Sequence, residues 1–198
     1  MTPQQKLLHV AKNLGISDMK NMQGSTGVLY HNQNWITGPG AALPNYTFFG
    51  GALQGASWIY NTNVNTSSKL EVNEALLIEK VAFHQCNVVT TGNTTGIEYA
   101  VMSNQRVVFD LYIGNKRVLK QVRTQPGNPF LEGTTMQYWP GNSVYLEGAG
   151  IVIPPQVEFY VTATIVNASS GQPITTGSGN ISCSLYGTSV LLNLNTSL

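Results

Sequence analysis

The residues best suited to acid–base, nucleophilic or metal chemistry in this sequence are three histidines, two cysteines and nine acidic residues. The histidines are scattered: His9 in a helix-like stretch, His31 in a connection and His84 near the end of a strand-like run. Only His84 has a co-ligand close by, Cys86, and a zinc or cupin-type centre needs several such ligands converging. As nucleophile and base, Cys86 and His84 would stand two apart on one strand, with nearly parallel side chains and no acid to orient the imidazole. Cys183 alternates with Ile181 and Leu185, the pattern of a buried thiol. Asp18 and Asp110 are the only aspartates, too few for a calcium loop built from several oxygens. Glu79, Glu98, Glu147 and Glu158 could meet as a glycosidase pair, but no spacing marks them. Gly50-Gly51 and Gly148-Ala149-Gly150 lack the Lys-Ser/Thr of a phosphate loop, and no Gly-x-Ser-x-Gly elbow is present. The sequence therefore predicts no catalytic residues, no metal and no cofactor.

The elements that could position a binding surface are more informative. In 198 residues, 42% are apolar, enough for the core of one domain, while only 10% are charged against roughly 25% in an average soluble chain. Neutral Asn, Thr, Ser, Gln and Gly must form most of the surface, with little repulsion between copies. A net charge of +1 offers no general attraction for nucleic acid or an anionic membrane. Arg106, Lys116, Arg117, Lys120 and Arg123 cluster around Asp110 and read as a solvated hairpin face. No Lys or Arg follows Arg123. The start lacks the apolar core of a secretory signal and no run is long enough to span a bilayer, so synthesis in the host cytoplasm and no membrane contact are expected.

Thr2 as N-cap, Pro3 at the first helical position and Gln5 three residues after the cap form a capping box. Leu7, Val10, Ala11 and Leu14 follow at helical spacing, Gly15 stops the helix, and Ser17 starts a second short turn through Met22. Residues 1–23 thus read as an amphipathic helical arm. The apolar stripe must cover either its own sandwich or a neighbouring subunit, and Gly15 and Gln23-Gly24-Ser25-Thr26-Gly27 supply joints that suit an arm swinging outward.

From Gly24 onward the period becomes two, predicting a β-sandwich over 24–198. Strands are expected at 58–60, 76–84, 97–102, 106–113, 116–122, 144–147, 157–165, 181–186 and 189–194, with Gly114-Asn115 as a hairpin turn. Connections at 31–55, 61–73 and 123–143 are long, and two carry aromatics: Trp35, Tyr46, Phe48 and Phe49, then Phe130, Tyr138 and Trp139. Long aromatic loops perform a contact or cap the ends of the sandwich. Leu7, Val10, Ala11, Leu14, Trp35, Phe48, Phe49, Phe130, Tyr138 and Trp139 are accordingly the candidate subunit-interface residues.

Three stretches, 99–116 (YAVMSNQRVVFDLYIGNK), 151–161 (IVIPPQVEFYV) and 181–187 (ISCSLYG), carry a resemblance to jelly-roll coat proteins of icosahedral viruses and phages. The last two look like the final strand pair of capsid and vertex proteins of tailless phages. The resemblance implies an all-β, single jelly-roll sandwich acting as a structural subunit of a virion. Its partners would be copies of itself, possibly in a ring, and other virion proteins. Coat proteins that bind genome often have a basic N-terminal arm, whereas here only Lys6, Lys12 and Lys20 oppose Asp18, so no direct nucleic-acid contact is expected. The rival reading is a carbohydrate- or receptor-binding β-sandwich, such as a fibre or lectin head.

Overall fold

The computed structural model describes residues 1–37, 45–50, 61–64, 68–91, 94–98, 105–124, 142–146, 148, 150–167 and 177–192. The described residues form an all-β sandwich of two antiparallel sheets with one helix on the outside. The helix is α1 (Pro3–Leu14). The strands are β1 (Gln23–Thr37), β2 (Asn45–Phe48), β3 (Glu74–Thr91), β4 (Thr94–Glu98), β5 (Gln105–Ile113), β6 (Lys116–Arg123), β7 (Asn142–Tyr145), β8 (Ile151–Ile153), β9 (Phe159–Asn167) and β10 (Gly177–Leu191).

The first sheet runs β1-β10-β3, and the far edge of β3 is covered in turn by β8, β7 and β4. The second sheet runs β2-β9-β5-β6. The pairing is nested. Among the described strands the first, β1, joins the last, β10, β2 joins β9, β3 joins β7 and β8, and β5 joins β6.

Between the sheets lie Phe48, Phe49, Phe83, Phe109 and Phe159 with Leu76, Ile78, Val81, Leu111, Val161, Ile165, Ile181, Cys183 and Leu185. These are the inward positions of the period-two pattern. On β5, Val107, Phe109 and Leu111 point in, while Val108, Asp110 and Tyr112 are only partly covered. Phe48, Phe83 and Phe109 form a chain of ring contacts across the core, 5.8 and 5.2 Å between successive centroids.

A second apolar cluster lies on the outer face of the first sheet. There Val10 of α1 meets Ala75 and Leu77 of β3 and Val190 and Leu192 at the end of β10, flanked by Leu7, Leu14, Ile16 and Met22. The helix forms as its capping box requires: Gln5 N–H donates to Thr2 Oγ1 and Thr2 N–H to Gln5 Oε1. Gly15, at φ 71°, closes it, with Ile16 N–H bonded to Ala11 O. Lys6 then forms an ion pair with Glu79 on β3 at 2.6 Å.

Several expectations are corrected here. Residues 1–23 do not form a free arm, because the apolar stripe of α1 finds its cover on its own sheet; Val10 and Ala11 are buried there. No second helix follows; Lys20 N–H bonds to Asp18 Oδ1 and Met22 N–H to Met19 O, which makes turns instead. The connection expected at 31–55 contains the end of β1 and all of β2. The two strands expected at 181–186 and 189–194 are one strand through Leu191. Gly187 did not mark a break: a Cβ there would stand 1.8 Å from Leu77 O, so glycine is what lets β10 pass β3. The strand expected at 58–60 and residues 99–102, 147 and 193–194 of others lie outside the described residues.

If the helix belongs to the domain, Val10→Ala should lower the unfolding free energy by about 2 kcal/mol in urea titration, with the transition remaining single. An unchanged midpoint would mean that the outer cluster contributes nothing to the fold.

Candidate functional site

Two sheet faces and one core corner gather side chains with chemistry beyond packing. The first is the part of the outer face of the first sheet that α1 leaves uncovered. Partner residues in adjacent antiparallel strands share a face, so Val28 (β1), Tyr186 (β10), Lys80 (β3) and Tyr145 (β7) stand in one row across four strands. Lys80 Nζ lies 4.9 Å from the Tyr145 ring centroid and 5.4 Å from that of Tyr186. Tyr145 is 70% exposed. The next rows carry Tyr30, Ser184 and Ala82, then Asn32, Ser182 and His84. His84 is pushed below its usual value by burial and, second, by the positive charge of Lys80, so it is neutral at pH 7.

The second face is the outside of the β2-β9-β5-β6 sheet. Tyr112 (β5) and Tyr160 (β9) are partners in register, and their rings stack at 4.6 Å with an interplanar angle of 10°. Arg117 lies over the Tyr112 ring and forms a 2.6 Å ion pair with Asp110. Asp110 also accepts the N–H of Gln121, whose φ of 48° belongs to a bulge between β5 and β6. The carboxylate thus replaces a ladder bond that the bulge removes. Thr162 and Thr47 continue the row from Asp110.

The corner lies where β1 meets the end of β2. His31 points into the core, opposite Cys183, and is 4% exposed. Its Nδ1 accepts the main-chain N–H of Phe49 at 2.6 Å, which requires a neutral ring with its proton on Nε2. The Phe48 and Phe49 rings make T-shaped contacts with it, their centroids 5.9 and 5.8 Å away. Phe49 has φ 61°, a left-handed conformation that costs a residue with a Cβ about 1–2 kcal/mol. Residues 61–64 close the corner from outside: Thr62 bridges His31, and Asn63 accepts from Tyr30 N–H and donates to Val28 O. Burial lowers the His31 pKa to about 4 and pushes the Cys183 thiol up.

Among the described residues no three His, Cys, Asp or Glu gather to hold a metal, and no helix is long and apolar enough to cross a membrane. His84 and Cys86 fall on β3 as expected, but the side chain of Cys86 lies outside the described residues. The basic cluster sits on the β5–β6 hairpin and its edge strand.

Of the interface residues predicted, Phe48 and Phe49 are corrected. Both are fully buried in the core, so they cannot present rings to a neighbour. Val10 and Ala11 are spent within the chain, and Leu7 and Leu14 flank the same cluster. Trp35 is on β1, with its side chain outside the described residues, as are Phe130, Tyr138 and Trp139 entirely. The tyrosines that are presented were missed. Tyr112 and Tyr160 had a signal, since both alternate with inward apolar residues. Tyr145 and Tyr186 had none, because the row with Lys80 exists only after pairing. No family model, curated protein or solved structure matches the chain.

Replacing Lys80 with Met should raise the His84 pKa part of the way toward 6.5, because the smaller of its two depressing causes is removed while burial stays. Proton NMR titration of the imidazole reads this directly, and an unmoved titration would place Lys80 too far from His84 to act on it.

Proposed function

We propose that the chain is a structural subunit of a virus or phage particle, a coat or vertex protein that acts through contacts with copies of itself and with other virion proteins. The observation that carries this reading is the nested strand pairing. First with last, second with penultimate and inward from there, alternating between sheets, is the order obtained when one long hairpin is rolled up as a jelly roll. The low charge of the chain supports it, because neutral polar surfaces approach one another without the repulsion that keeps monomers apart. Two tyrosine-bearing faces add surfaces of the kind that anchor protein contacts. A virion location follows from the reading itself.

Electron microscopy and light scattering of the purified protein test it. Closed rings or shells are expected, growing with concentration. A strict monomer at high concentration and low salt would sink the assembly reading.

A second reading, a carbohydrate-binding module, is favoured by the stacked Tyr112 and Tyr160 beside the Asp110–Arg117 pair. Aromatic faces next to fixed hydrogen-bonding groups suit a pyranose ring. On a glycan array, binding that Tyr160→Ala abolishes would support this module, and a blank array would remove it.

A further inference from the structure

We propose that the contact between His31 and the end of β2 is an acid-opened latch: protonation of the ring releases the Phe48-Phe49 corner from the core. Three independent features meet at this point. The ring holds Phe49 through an acceptor atom, Nδ1, at 2.6 Å. The residue it holds is in a left-handed conformation that a phenylalanine leaves readily once free, φ 61°. The ring itself is buried in T-shaped contact with two phenylalanines, an apolar surrounding that disfavours a charge.

A second proton converts Nδ1 from acceptor to donor, so two N–H groups then face each other at hydrogen-bond distance. Among the described residues the charge has no counter-charge to settle on. The described groups that face the ring are Phe48 and Phe49 at β2, Cys183 directly opposite on β10 and Thr62 from outside. None carries a charge, and burial keeps the Cys183 thiol protonated. The phenylalanines released are large: Phe48 also contacts Phe83, and Phe49 contacts Phe159, so opening bares apolar surface from the middle of the sandwich.

The direction with pH follows from burial holding the closed-state ring at about 4 against 6.5 in the open chain. The latch is fully closed above 6.5, weakens by up to tenfold per pH unit as pH falls toward 4, and changes no further below that.

Amide hydrogen exchange on the full chain reads the latch at one residue. The protection factor of the Phe49 N–H should fall about 70-fold between pH 7.5 and 4.5. His31→Asn, whose amide oxygen can accept the same N–H without titrating, should flatten that dependence, whereas His84→Gln should leave it in place. Equal protection at both pH values, or the same fall in His31→Asn, overturns the latch. Should His31→Asn fail to fold, the native chain decides by NMR. Loss of Phe49 protection must then track the titration of the His31 ring, and a loss that tracks carboxylates instead overturns the proposal.

Discussion

Ala75, Leu76, Leu77 and Ile78 are consecutive and all buried, which on a pleated strand means apolar side chains on both faces. Most of the architecture answers that requirement. The inner face is met by the second sheet, through Leu76 and Ile78. The outer face, through Ala75 and Leu77, can be kept from water only by something laid across it, and α1 is that cover. Glu79 then ends the doubly covered stretch. It is the extra residue where β3 and β10 slip register, so Lys80 turns outward and Val81 inward, and its carboxylate binds Lys6 of the helix. The same residue that terminates the apolar run thus anchors the edge of its cover.

Beyond Glu79 the outer face is free of the helix and its residues change character at once, to Lys80, His84, Tyr145 and Tyr186. The division has an energetic sense. Contacts such as Lys80 with its tyrosines stabilise by about 0.5–1 kcal/mol at exposed sites, whereas burying a side chain like Leu77 is worth about 1.5–3 kcal/mol. One half of the face holds the fold together; in the other half Tyr145 is exposed while Ala82 and Ser184 are buried. The β6 edge of the other sheet is handled differently, with Lys116, Arg117, Lys120 and Arg123 along it and a bulge at Gln121, devices that discourage further strand pairing.

The sequence made the sandwich and the helix legible because both obey a single period: β5 and β9 alternate cleanly, and α1 carries a full capping box. What it hid has particular causes. On β1 an inward slot is filled by His31, a polar residue in an apolar position, so the alternation does not register. On β2 and just after it, the aromatics Tyr46, Phe48 and Phe49 look like exposed loop side chains, since their burial depends on β9, more than a hundred residues away in sequence. Gly187 looks like a stop but is a clearance for the backbone of β3. The tyrosine row around Lys80 draws on three strands and has no local pattern at all.

The pairing of β1 with β10 also bears on how the chain is made. Gln23 lies opposite Leu191, so β1 has no complete partner until the 168 residues from Gly24 to Leu191 have followed Gln23 out of the ribosome. Contacts this remote in sequence close a long loop and are slow to gain. The helix is delayed with them, because its landing surface is shared between β3 and Val190 and Leu192. Synthesis at about 5–20 residues per second therefore leaves the apolar stripe of α1 and the outer side of β3 waiting, in the nascent chain, for β10 to leave the ribosome.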